Sequence, residues 1–151
     1  MTIGNAKAAE AAKQITTQSE EETAAVGREL APTLSAGDAL LLYGDLGAGK
    51  TAFVRGLAEG LGVGRDEVSS PTFTLIQEYR GGRLPLFHVD LYRIEDPREF
   101  DELGLDEIAE DGVLAIEWAE KLAGRLKPSR YVAVRIDHAA ETERRIAISR
   151  I

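Results

Sequence analysis

The amino-acid sequence predicts an α/β fold with a central, mostly parallel sheet, antiparallel hairpin strands and flanking helices. Three observations carry that expectation. Short continuous apolar runs, Ala39–Tyr43 and Gly112–Ile116, are bounded by turn residues and read as strands buried on both faces. Thr51–Leu61 places Phe53, Val54, Leu57, Ala58 and Leu61 on one helical stripe. Two pairs of apolar segments flank short polar or glycine-rich turns, the pattern of hairpins. At 151 residues the chain has the length of one domain, and 44% hydrophobic residues give it a core, which excludes disordered and collagen-like classes.

The elements follow in chain order. Residues 1–15 are rich in Ala and Lys and are expected to fray or form a loose helix, a flexible tail ahead of a single domain over residues 16–151. Ser19-Glu20-Glu21-Glu22 has capping-box spacing, so a helix should begin there, run through Val26 and Leu30, and stop near Pro32. The strand Ala39–Tyr43 and the helix Thr51–Leu61 come next, the latter ended by Gly62 and Gly64. Phe73–Tyr79 and Leu84–Tyr92 surround Gly81-Gly82 as a hairpin, with Pro85 near the start of its strand. Asp96-Pro97 resembles a helix entry, and the helical region, interrupted by Gly104, should reach about Ala109. Glu117-Trp118 lies at the C-terminal end of the strand Gly112–Ile116. A short helix to Leu126 and strands Tyr131–Ile136 and Arg144–Ile148 complete the chain.

Composition narrows the function. There is no cysteine and there are only two histidines, so disulfide frameworks, thiolate metal sites and cysteine nucleophiles are excluded and a His-rich metal site is disfavoured. The expected compartment is the reducing cytoplasm, and no apolar run approaches the ~20 residues of a membrane span. The net charge of −8 argues against nucleic-acid binding by the whole surface. Charge is nevertheless polarised: residues 86–120 hold twelve carboxylates and two arginines, whereas residues 121–151 hold eight basic and three acidic side chains.

Gly44-Asp45-Leu46-Gly47-Ala48-Gly49-Lys50-Thr51 satisfies G-x-x-x-x-G-K-[ST] at every fixed position, the phosphate-binding P-loop pattern. For this composition a chance match anywhere in the chain has a probability of about 0.5%, and the motif also sits between an apolar strand and an amphipathic helix. The chemistry needs these residues. Glycines let successive N–H groups face phosphate oxygens, the helix presents its positive end, Lys50 neutralises the β and γ phosphates, and the Thr51 hydroxyl ligates Mg²⁺. The fold expectation thereby becomes that of a P-loop NTPase. Such a site also needs a carboxylate near Mg²⁺ at the end of a neighbouring strand. Asp90, late in the run Leu86–Val89, and Glu117, after Val113–Ile116, are the two candidates. Thr72 lies in the polar segment Ser69–Thr74, where a switch loop would offer a hydroxyl, although an ordinary hydroxyl-bonded turn reads equally well. Trp118 by itself is more simply a core aromatic.

The only asparagine is Asn5, so the Asn-Lys-x-Asp element of a standard GTPase is missing. A small-molecule kinase is a better rival, but kinases of that class carry an arginine-rich lid and the corresponding segment here is acidic. GDLGAGKT, then SPTF, then HVDLYR (His88–Arg93), then AIEWAEK (Ala115–Lys121) resemble, in that order and spacing, the TsaE (YjeE) family of small P-loop ATPases. The likeness runs from about Ser19 to the C-terminus.

The resemblance implies an ATP- and Mg²⁺-dependent subunit in formation of N6-threonylcarbamoyladenosine (t6A) at position 37 of tRNAs that read ANN codons, acting with TsaB and TsaD. It implies that Lys50, Asp90 and Glu117 serve the reaction, that Thr51, Glu117 and Asp90 surround the metal, and that Asp45–Thr51, Thr72 and Trp118 contact the nucleotide. No arginine occupies an obvious finger position, so weak intrinsic hydrolysis is expected, with partners raising it. Direct tRNA contact is expected, if anywhere, at the basic C-terminal segment. The rival readings are a P-loop kinase and a nucleotide-dependent adaptor.

Overall fold

A computed structural model describes residues 13–44, 49–63, 76–96, 98–101, 104–122 and 131–150. The elements are β1 (Lys13–Thr17), α1 (Glu20–Leu30), β2 (Ala39–Tyr43), α2 (Lys50–Leu61), β3 (Ile76–Tyr79), β4 (Leu86–Asp90), α3 (Arg98–Asp101), α4 (Leu105–Ile108), β5 (Val113–Glu117), β6 (Tyr131–His138) and β7 (Arg144–Arg150). Short 3₁₀ turns occupy Ala31–Thr33, Ala109–Asp111 and Ala119–Leu122.

All seven strands form one sheet in the order β1-β7-β6-β2-β5-β4-β3. The centre, β6-β2-β5-β4, is parallel, while β3, β7 and β1 pair antiparallel at its two sides. This is the expected α/β architecture, with the motif strand β2 between two parallel neighbours.

Period-2 alternation divides the sheet into two apolar faces. Leu40, Leu42, Leu86, Val113, Ala115, Val134 and Ile136 pack beneath α1 and α2, against Val26, Leu30, Phe53, Val54 and Leu57. Leu41, Phe87, Val89, Leu114 and Ile116 form the second core with Leu91, Ile94, Leu105 and Ala119, so this face is covered by short irregular segments. Phe53 is completely buried, and truncation to Ala at such a site costs about 3–5 kcal/mol.

α1 begins as its capping sequence predicts, with Ser19 Oγ accepting from Glu22 N at 3.1 Å. The Glu22 carboxylate reaches one residue further back than a standard box, accepting from Gln18 N at 2.7 Å. α1 and α2 touch through their backbones: a Cβ on Gly56 would lie 1.7 Å from Ala24 O, and one on Gly27 2.2 Å from Phe53 O. α2 ends in a Schellman motif on Gly62 (φ 97°), with Val63 N donating to Ala58 O at 2.9 Å and Gly62 N to Glu59 O at 3.0 Å.

Three expectations are corrected. The N-terminal segment to about residue 15 is not helical where it is described, because Lys13–Thr17 pairs with β7 in register Ile15↔Ile146. A five-residue strand with only Thr17 buried has too little apolar alternation to be read from sequence. The segment after Trp118 is a 3₁₀ turn over Ala119–Leu122, and the rest of the expected helix, to Leu126, lies outside the described residues. The final hairpin is longer than predicted, reaching His138 and Arg150, since antiparallel pairing continues through charged residues that face solvent. Asp96 does cap α3, its Oδ1 accepting from Arg98 N at 2.9 Å.

Candidate functional site

Strand alternation decides which polar side chains share a face. On β4, Leu86, His88 and Asp90 have one parity; on β5, Val113, Ala115 and Glu117 do. Because Leu86, Val113 and Ala115 pack beneath α1 and α2, His88, Asp90 and Glu117 emerge on that same face. Register completes the arrangement: Asp90 is opposite Glu117, and Glu117 is opposite Leu42 near the end of β2. Leu91 N donates to Glu117 O at 3.1 Å, tying the two strand ends together.

α2 starts immediately after the glycine-rich turn. Its N-cap, Gly49, has φ 102° and supplies no side-chain cap, so the N-cap residue leaves the amides of the first turn open. Gly44, with φ 131°, is required on two counts, since a Cβ there would also meet Ile136 O at 2.0 Å. Lys50 is 4% exposed. Its Nζ donates to Gly44 O at 2.9 Å and lies 4.1 Å from the centroid of Trp118, a cation–π contact of about 0.5–2 kcal/mol.

Trp118 takes φ 62°, a left-handed conformation that costs a bulky residue on the order of 1–3 kcal/mol. Its indole is tilted against Tyr92, with centroids 5.0 Å apart. Tyr92 is half-exposed, and Lys121 Nζ donates to the carbonyls of Tyr92 and Ile94 while lying 5.5 Å from the Tyr92 ring. Two aromatics in contact, Trp118 and Tyr92, thus bridge Lys50 to Lys121.

The two carboxylates differ. Glu117 is buried, and its Oε2 lies 2.5 Å from Nε2 of the fully buried His88. Nδ1 of His88 has no hydrogen-bond partner among the described residues, a deficit of about 1–3 kcal/mol. Asp90 is half-buried, and its Oδ1 accepts from Tyr92 N at 2.9 Å. Burial, reinforced by the Glu117 charge, raises the Asp90 pKa above the ordinary carboxylate value, against the opposing pull of Tyr92 N–H, His88 and Lys50.

The fold therefore brings together Lys50, Asp90, Glu117 and Trp118. Thr51 is the second residue of α2 and is half-buried. Asp45, Leu46, Gly47, Ala48 and Thr72 lie outside the described residues. Sequence reasoning did not single out His88, although a polar residue inside Leu86-Phe87-His88-Val89 is the signal by which it can be found. Arg144 was also missed. Its Nε would lie 3.9 Å from a Cβ on Gly49, while Nη1 is tethered to the carbonyls of Glu141 and Glu143 at 3.2 and 3.3 Å.

Among the described residues, no group of three or more His, Asp or Glu side chains forms a self-sufficient metal cage. Two neighbouring strand-end carboxylates suit Mg²⁺ instead, which is commonly held by one or two carboxylates together with phosphate oxygens.

The model of the family described as threonylcarbamoyl adenosine biosynthesis protein TsaE matches residues 17–146. The chain belongs to the TsaE family. It is 47% identical over 132 residues to the tRNA threonylcarbamoyladenosine biosynthesis protein TsaE of Bacillus subtilis, covering 87% of this chain and 81% of that one. It is 46% identical to the protein of that name from a Nostoc species, covering 85% and 80%, and 40% identical to that of Treponema pallidum, covering 87% and 96%. The crystal structure of Bacillus subtilis YdiB superposes with a TM-score of 0.71 at 40% identity, covering 91% of this chain and 86% of that one. The TsaE match thus spans the P-loop motif and both strand-end carboxylates.

Proposed function

We propose that this TsaE-family chain is the ATP-binding and ATP-hydrolysing subunit of t6A formation at position 37 of tRNAs reading ANN codons. The observation that carries the reading is convergence: Lys50, at the start of α2, stands close enough to act electrostatically on Asp90, and Asp90 and Glu117 end the adjacent parallel strands β4 and β5 on one face of the sheet. Mg²⁺, when bound with ATP, supplies charge neutralisation on the β and γ phosphates.

Each residue has a task in this reading. The backbone amides of Asp45–Lys50 cradle the phosphates, Lys50 releases Gly44 O to neutralise them, and Thr51 gives its hydroxyl to the metal. Glu117 holds the metal or orients the attacking water, and Asp90 stands beside it. Thr72 and Trp118 contact the nucleotide. Water attacks the γ-phosphate in line, and charge on the transferring group is balanced by Lys50 and the amides.

Membership of the family supports the reading of the partners. TsaB and TsaD carry out the transfer and stimulate an ATPase that is weak alone. The acidic stretch, with exposed Glu99, Glu107, Glu110 and Asp111, meets a basic partner surface. The basic C-terminal strands are where any tRNA contact occurs. No helix among the described residues is long and apolar enough to cross a membrane, and the proposed compartment is the cytoplasm.

The test is phosphate release from Mg²⁺-ATP with and without the TsaB–TsaD pair. Stimulation by the pair supports the reading. Equal turnover, or transfer of labelled γ-phosphate to a small acceptor instead of water, overturns it.

A further inference from the structure

We propose that His88 is a positioning residue: its Nε2–H fixes one oxygen of Glu117, so that the other is held ready for a divalent cation on the nucleotide phosphates. The inference rests on the reading of Glu117 as the metal-side carboxylate. Three observations point to it.

Among the described residues Glu117 makes one side-chain hydrogen bond, its Oε2 accepting from His88 Nε2 at 2.5 Å, which leaves Oε1 without a protein partner there. A glutamate has three side-chain torsions, and one anchored oxygen removes most of that freedom before any cation arrives. Second, His88 is completely buried and its Nδ1 finds no partner among the described residues. A histidine placed for packing alone would satisfy both nitrogens or be replaced by an apolar residue, whereas here only the nitrogen that faces Glu117 is used. Third, the pair is fixed by strand register. His88 lies opposite Ala115 and Asp90 opposite Glu117, so the contact is the diagonal one between neighbouring strands, which a long side chain can span. The small Ala115 leaves the imidazole its place. Carboxylates that bind metals are commonly oriented by such a hydrogen bond, and its loss typically lowers metal affinity or activity by about 10- to 100-fold.

A carboxylate oxygen only accepts, so Nε2 carries the proton. Long-range proton–nitrogen NMR of the full chain without nucleotide should therefore show His88 with a protonated Nε2. An unprotonated Nε2 overturns the proposal.

Three variants separate positioning from packing. The amide nitrogen of His88→Gln can occupy the Nε2 position, that of His88→Asn reaches only the Nδ1 position, and His88→Leu donates nothing. With ATP held saturating, calorimetric titration should give Mg²⁺ binding about 10- to 100-fold weaker in the Asn and Leu variants, with most of the loss recovered in Gln. ATP binding in chelator, which relies on Lys50 and the amides, should be unchanged in all three. Wild-type Mg²⁺ affinity in every variant, or Gln no better than Asn, overturns the proposal. Lys50→Ala keeps the two readings apart: normal hydrolysis by that variant ends the ATPase reading, whereas a silent Lys50→Ala beside His88 variants of wild-type Mg²⁺ affinity ends only the role given to His88.

Discussion

The ends of β4 and β5 are neighbours in register, each finishing in a carboxylate on the same face, yet the two are held in different ways. Glu117 is buried and anchored by a buried imidazole 2.5 Å away. Asp90 is half-buried, and a backbone N–H two residues on holds it at 2.9 Å, the local bond of a strand that is about to turn. The chain after β5 turns through Trp118 in a left-handed conformation, which brings the indole to Lys50; the chain after β4 sends Tyr92 toward solvent. A fixed, buried carboxylate is preorganised for a metal or a water, whereas one at a half-buried strand end, held only by a local backbone bond, can adjust as ligands and partners arrive. Equivalent positions in a sheet are thus made unequal by what each side chain finds beyond the last hydrogen-bonded pair.

Removing the cation that faces both strand ends should have the largest effect. Lys50→Ala is expected to abolish ATP turnover while a thermal melt shows the fold intact, and normal phosphate release would refute the site. Next comes the anchored acid: Glu117→Gln should lower kcat by about 10²- to 10³-fold, the typical loss on removing one preorganised electrostatic group. Asp90→Asn should cost less, about 10- to 100-fold, and a larger loss at Asp90 than at Glu117 would invert the comparison.

The same substitution carries a stability signature of opposite sign. Burial raises the Asp90 pKa in the folded chain, so the fold holds its proton more tightly than the unfolded chain does. Stability contributed by protonated Asp90 falls as pH rises from the unfolded value through the folded one, and at neutral pH the charge opposes folding. Asp90→Asn should therefore melt slightly higher than wild type at pH 7 without nucleotide, with the gain vanishing in acid. The smallest effect is expected at the turn: Trp118→Phe keeps an aromatic face near Lys50 and should change turnover less than tenfold, in keeping with a cation–π contact of about 0.5–2 kcal/mol. In the wild type, the chain's only Trp should change emission when ATP displaces the Lys50 ammonium, and an unchanged spectrum would separate Trp118 from the nucleotide.

Much of the site can be read from the residues. The P-loop spacing, the strand before it and the helix after it are local features, and local spacing survives folding. The acids Asp90 and Glu117 are visible as carboxylates ending apolar runs, but that pattern does not distinguish them, because their difference lies in partners 29 residues apart, such as His88 with Glu117. Trp118 shows why a lone aromatic is ambiguous: it packs against the second core and also covers Lys50. β1 escaped notice because an edge strand with one buried residue is defined by the strand it joins.

By itself the sequence determined the α/β class, the P-loop motif, the family and the polarised charge, since each rests on residue type and spacing along the chain. Only the tertiary structure decided that β2 lies between β5 and β6, that His88 anchors Glu117 rather than Asp90, and that Lys50 rests between Gly44 O and Trp118. Those facts depend on register and close approach between distant segments, which composition and periodicity do not encode.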